Sequence, residues 1–91
     1  MSRRAVDVVI TGRVQGVFFR ARTQEQAARL GIAGWVANEP DGSVAGHFEG
    51  AAADVEALLD WCRSGPEYAQ VDDVRVTEAE PAGNHGFDVR G

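Results

Sequence analysis

Lysine is absent from this 91-residue chain: all nine cationic side chains are arginine. Set against 14 carboxylates, they leave a formal charge of −5. Broad nucleic-acid binding draws on a basic surface, so this balance argues against such a partner. Cysteine is nearly absent. Cys62 stands alone and cannot close an internal disulfide, which fits a reducing, cytosolic setting. Long apolar runs are missing too. The longest is three or four residues, far short of the about 20 that span a bilayer. No apolar stretch follows Met1-Ser2-Arg3-Arg4, as a secretory signal would require. The expectation is a cytoplasmic protein with no membrane partner.

What is present is ordinary globular composition, 44% hydrophobic and 25% charged. The length suits a single domain over residues 1–91. A domain of this size buries only about 60–65% of its unfolded surface, so its stability margin is modest.

Periodicity outlines the elements. Val6, Val8 and Ile10 alternate with Asp7, Val9 and Thr11, the pattern of a strand with one buried face. Gly12 and Gly16 then punctuate a loop. From Phe19 to Leu30 the period becomes helical, with Phe19, Thr23, Ala27 and Leu30 on one face and Gly31 placed to end the helix. Ile32 to Asn38 reads as a second strand. Glu39-Pro40-Asp41-Gly42 has turn chemistry, and Ser43 to Glu49 completes a hairpin. Val55, Leu58, Leu59 and Cys62 mark a second helix from Asp54 to Arg63. Val74 and Val76 indicate a fourth strand, and Phe87 and Val89 a short last one. The order β-α-β-β-α-β, with an extra terminal strand, predicts an α+β, ferredoxin-like sandwich: one antiparallel sheet with both helices on one face. A right-handed crossover makes strands one and two run the same way, so residues 12–20 and Asn38 meet at one sheet edge.

Gly12-Arg13-Val14-Gln15-Gly16-Val17-Phe18-Phe19-Arg20 joins a strand to a helix N-terminus. Unpaired N–H groups and the positive end of the helix dipole make such a junction a natural anion site. Arg20 can add a bidentate guanidinium. The pattern is neither a G-x-x-x-x-G-K-[ST] loop nor a G-x-G-x-x-G fingerprint. On its own it fits two readings: an anion cradle, or a tight turn beside a solvated arginine. Asn38 also has two readings, a turn former before Pro40-Asp41-Gly42 or a functional amide. It shares the parity of Ile32 and Val36, so a buried face there would need a reason for it.

The segment from Gly12 to Arg20 resembles the first signature of the acylphosphatase family. Gly34-Trp35-Val36-Ala37-Asn38 followed by Asp41-Gly42-Ser43-Val44 resembles the second, in the same order and spacing. The likeness extends to Glu49-Gly50 and to Phe87-Asp88-Val89-Arg90, and so covers nearly the whole chain. It implies hydrolysis of acyl phosphates without metal or cofactor. Arg20 matches the phosphate-binding arginine and Asn38 the water-orienting asparagine. The backbone of Gln15, Gly16, Val17, Phe18 and Phe19 matches the phosphate cradle. Many family members carry Gly where this chain has Phe18. Phe also occurs there, so the departure bears on the shape of the pocket wall.

The chemistry is consistent with so spare a set. A carboxylate leaves without protonation, so no general acid is required, and the remaining work is positioning and charge stabilisation. Asn38 offers both an acceptor and donors for a water. The other polar residues carry no such pattern. His47, on the strand face opposite Val44 and Phe48, is expected to face solvent, and His85 lies in a glycine-flanked loop. Two lone histidines make no metal site. Cys62 reads as a core thiol, Trp35 and Trp61 as packing residues, and Asp72, Asp73, Glu78 and Glu80 as solvated surface. Arg13 could steer anions to the loop or be a plain surface residue. The alternatives to a monomeric enzyme are a non-catalytic ferredoxin-like anion-binding or interaction module, and an RNA-binding sheet. Net charge and the lack of paired aromatics on the middle strands disfavour the second.

Overall fold

Alternation builds the first strand. In a computed structural model, which describes residues 2–91, β1 runs Arg3–Arg13 and buries Val6, Val8 and Ile10 while Asp7 and Val9 point outward. It is followed by α1 (Phe19–Leu30), β2 (Ala33–Asn38), β3 (Val44–Ala51), α2 (Ala52–Ser64), β4 (Gln70–Glu78) and β5 (Phe87–Arg90). The expected ferredoxin-like order is present, with the extra strand. α1 ends at Gly31, where the Ile32 N–H turns back to the Ala27 carbonyl at 2.9 Å.

The sheet order is β4-β1-β3-β2-β5. β1 and β2 both pair antiparallel with β3 and therefore point the same way. Ile10, Val44 and Asn38 form one row across the three strands, with Val44 paired to both neighbours. Two details differ from the sequence expectation. The sheet is mixed rather than wholly antiparallel, because β5 pairs parallel with β2. β4 ends beside Val6 and β5 begins beside Gly34, so residues 79–86 cross one end of the sheet and β5 must climb alongside β2. Gly12 and Arg13, expected in a loop, still belong to β1. A bulge in β4 places Thr11 opposite Asp73 and Gly12 opposite Val71, which lets pairing continue to Arg13. A Cβ on Gly12 would stand 2.2 Å from the Gln70 carbonyl oxygen, so the close approach admits only glycine.

Between sheet and helices lies one apolar core. Val6, Val8, Ile10, Val36, Val44 and Phe48 meet Phe19, Ala27, Val55, Leu58, Leu59 and Cys62 there. Burial pushes the Cys62 thiol up to about 12, as suits an inert core residue. Among the described residues no helix is long and apolar enough to cross a membrane.

His47 corrects an expectation. It lies on the helix-free face of the sheet, but it is only 6% exposed. Its Nδ1 is 2.8 Å from Asp7 Oδ1 and its Nε2 is 2.8 Å from Glu49 Oε2. Glu49 in turn accepts the N–H groups of Ala82 and Asn84, at 2.7 and 2.8 Å. The crossing segment 79–86 thus covers a face that strand periodicity alone leaves open, and a buried carboxylate clasps it.

Burial opposes charge on both groups, and the hydrogen bonds outweigh it. Glu49 and Asp7 raise His47 above its ordinary 6.5; His47, then the two N–H groups, hold Glu49 below its ordinary 4.5. The His47 contribution to stability is present below pH 6.5 and lost as pH rises through its raised value. The Glu49 contribution is present above pH 4.5 and lost as pH falls through its lowered value. The urea midpoint should therefore be highest between pH 4.5 and 6.5 and decline on both sides. His47→Gln should flatten the alkaline decline and lessen the acid one, because Glu49 loses the imidazolium and keeps its two backbone N–H donors; an unchanged alkaline limb would remove His47 from the account.

Candidate active site

Past Arg13 the chain alternates between core and surface. Val14, Val17 and Phe19 are buried, while Gly16 and Phe18 are exposed. The inward side chains pin the loop, and the outward positions leave its backbone open. Gly16 has φ 72° with nothing within 4 Å of where a Cβ would sit, so it serves conformation rather than packing. Phe18 also has positive φ, 62°, and is the only non-glycine residue to do so among the described residues. A left-handed conformation costs an L-residue about 1–2 kcal/mol. Phe18 occupies the N-cap of α1, no side chain caps that end, and no acidic residue stands in the first turn. The N–H groups there remain available to an anion.

The loop is tied across the sheet edge by one carboxamide. Gln15 Nε2 donates to the carbonyls of Glu39 and Ser43, at 2.8 and 2.9 Å. These belong to the turn that follows Asn38, so the tie sets the loop against the end of β2. Asp41 Oδ1 accepts from the N–H and hydroxyl of Ser43, at 2.9 and 2.6 Å, and holds the same turn. Those two bonds keep the Asp41 carboxyl below its ordinary value. From the other side comes β5. Its Arg90 carbonyl accepts Arg20 Nη1 at 2.8 Å, and the Arg90 guanidinium lies 4.9 Å from the Trp35 ring centroid.

A cavity of about 280 Å³ opens between these parts, lined by Gly16, Phe18, Phe19, Arg20, Asn38 and Val89 among others. It brings together most of the residues singled out from sequence. Gln15 and Val17 are not on its wall: the Gln15 side chain makes the tie, and Val17 turns into the core. The Phe19 ring is buried against Trp61 at 5.6 Å between centroids, which leaves its backbone to the loop. Asn38 Oδ1 is covered and has no hydrogen-bond partner in the protein. Such an acceptor costs about 1–3 kcal/mol. Sequence reasoning missed the Gln15 side chain, Ala21, Val89 and the Arg90 carbonyl. His47 lies three rows down the sheet, opposite Asp7 and Trp35, and takes no part. Among the described residues no group of three His, Cys, Asp or Glu side chains could hold a metal ion.

The acylphosphatase family model matches residues 6–89. The chain belongs to the acylphosphatase family. An acylphosphatase from a Nocardioides species is 52% identical over 88 residues, covering 97% of this chain and 89% of the relative. The solved acylphosphatase of Coxiella burnetii superposes with a TM-score of 0.93 at 33% identity, covering 97% and 93% of the two chains. That of Bacillus subtilis gives 0.92 at 32% identity, covering 97% and 98%. With half of its residues identical to a curated acylphosphatase over nearly its full length, the chain is an acylphosphatase by kinship, and a carboxyl-phosphate bond is what such an enzyme cleaves.

Two substitutions probe the architecture of this acylphosphatase. Gln15→Ala should cost about 1–2 kcal/mol of stability for the two lost bonds. By loosening the loop against Asn38 it should also lower kcat/KM for acetyl phosphate by about 10²-fold. Urea melts and steady-state kinetics read the two effects separately. Phe18→Gly should relieve the left-handed strain at an exposed position. After the extra chain entropy of glycine it should stabilise the fold by about 0.5–1 kcal/mol, seen as a raised Tm.

Proposed function

We propose that the backbone of Gln15, Gly16, Val17, Phe18 and Phe19 cradles the phosphate of an acyl phosphate. Arg20 clamps its non-bridging oxygens, and Asn38 aims the attacking water. A loose phosphoryl transition state spreads charge over the equatorial oxygens, where N–H groups and a guanidinium act best. The Arg90 carbonyl holds one arm of Arg20 and leaves the other free to bind. Half a turn about the Cβ–Cγ bond of Asn38 exchanges its covered oxygen with the amide nitrogen, presenting an acceptor to a water in the cavity. Water adds to phosphorus as the acyl oxygen departs with the bonding pair. The water's proton passes to a phosphate oxygen, giving a carboxylate and dihydrogen phosphate. The observation that carries this account is a single cavity shared by the open loop, Arg20 and an asparagine with an unpartnered oxygen.

The same account treats residues 1–91 as one acylphosphatase-like domain, supported by the family match over 6–89 and by a single sheet. It takes the enzyme to act as a cytoplasmic monomer on a small-molecule substrate, without cofactor, nucleic acid or membrane.

The test is hydrolysis of acetyl and benzoyl phosphate with a chelator present. Wild type should turn over, with inorganic phosphate as a competitive inhibitor. Arg20→Ala should lower kcat/KM by about 10³-fold or more and weaken phosphate inhibition. Asn38→Ala should lower kcat by about 10²–10³-fold, with KM little changed. Full activity in Asn38→Ala would sink its role, and a folded but inert wild type would favour the non-catalytic anion-binding module.

A further inference from the structure

The proposed site implies a direction for the leaving group. Attack and departure are nearly in line at phosphorus. The sheet order puts β2, with Asn38 at its end, on one side of β1, and β4 on the other. The phosphate loop rises from β1 itself. A water held by Asn38 therefore approaches from the β2 side, and the carboxylate is expelled toward the β4 side.

On that side lies a second cavity of about 440 Å³, walled by Val17, Phe18, Trp61, Pro66 and Tyr68. Phe18 lines both cavities, so the two adjoin at that residue. The far wall is fixed relative to the loop. Gly65, which opens the turn before β4, stands so close to Phe19 that an added Cβ would lie 2.9 Å from the ring. The Ala69 N–H closes the same turn on the Pro66 carbonyl at 3.0 Å. Phe18 and Tyr68 are 73% and 72% exposed, the two most exposed large apolar side chains among the described residues. Phe18 keeps its ring outside the core from a strained backbone, which packing alone does not require. The rim carries Arg22, paired with Glu25 at 3.0 Å, and Glu67, a net negative set that repels a second anionic group on the substrate.

Building on the proposed roles of the loop and Asn38, we propose that this cavity is the acyl subsite and that Phe18 and Tyr68 set its specificity, favouring uncharged aromatic acyl groups over small aliphatic ones. Its size falls within the range of ligand pockets, and Phe18, Trp61 and Tyr68, set among polar neighbours, offer aromatic faces to an aryl ring.

The experiment compares kcat/KM for benzoyl and acetyl phosphate in wild type, Tyr68→Ala and Phe18→Gly, each checked for folding by circular dichroism. The benzoyl-to-acetyl ratio should fall at least threefold in each variant, chiefly through KM for benzoyl phosphate, and phosphate should inhibit Tyr68→Ala as it does wild type. Ratios unchanged in both folded variants would overturn the subsite. An equal rise in KM for both substrates, with weakened phosphate inhibition, would overturn it by assigning these walls to the phosphate site. Hydrolysis of neither substrate by wild type would overturn the parent account, and the subsite with it.

Discussion

Val44 pairs with Ile10 on one side and Asn38 on the other, and the site depends on that row. Two interstrand steps separate β1 from β2, roughly 10 Å. A loop rising from the end of β1 can lean across that gap, and the Gln15 carboxamide closes it. The register is set by burial: Val6, Val8, Val36 and Phe48 must all face the helices. A slip of one residue would send every side chain of β2 to the opposite face and carry Asn38 away from the loop. Core packing thus fixes a distance between polar groups that do not touch each other.

The two ends of the sheet divide the energetic burden. At one end Glu49 clasps the crossing segment through the N–H groups of Ala82 and Asn84, and His47 ties Glu49 to Asp7 beneath it. At the other, the cavity gathers a left-handed phenylalanine and an unpartnered amide oxygen. Local strain of this kind persists where surrounding structure overdetermines it. β5 links the ends. The clasp holds the segment that delivers β5, and β5 supplies the carbonyl that orients Arg20. The proposed anion site also coexists with a net charge of −5. Its attraction is local, from N–H groups and one guanidinium, rather than from the overall field.

Strand alternation at Val6, Val8 and Ile10, the helical period from Phe19 to Leu30 and the parity of Asn38 were legible because each is decided by one element's own burial. What was not legible depends on distant chain. His47 is buried by residues 79–86, more than 30 positions away, and strand parity reports which face a residue takes but not what covers it. Gly12 and Arg13 remain in β1 because β4 bulges at the residue between Val71 and Asp73. The direction of β5 follows from where its connection crosses, not from its four residues. Gln15 was placed in the loop for its backbone, and only the turn at Glu39 and Ser43 gives its side chain a task.

The proposed chemistry also accounts for what the cavity lacks. Arg20 and Asn38 are its polar side chains among the lining residues, and neither a guanidinium nor an amide serves as the proton donor to a leaving group. An alkoxide leaving from a phosphate monoester would need such a proton; a carboxylate does not. Discrimination between the two substrate classes then requires no separate recognition of the ester. It follows from having a clamp and a positioned water with no acid beside them. Adding an acid would cost twice. A carboxyl in the cavity would face the phosphate as a like charge when ionised, and would compete for the N–H groups that the loop holds open. The spareness of the site is therefore part of its specificity.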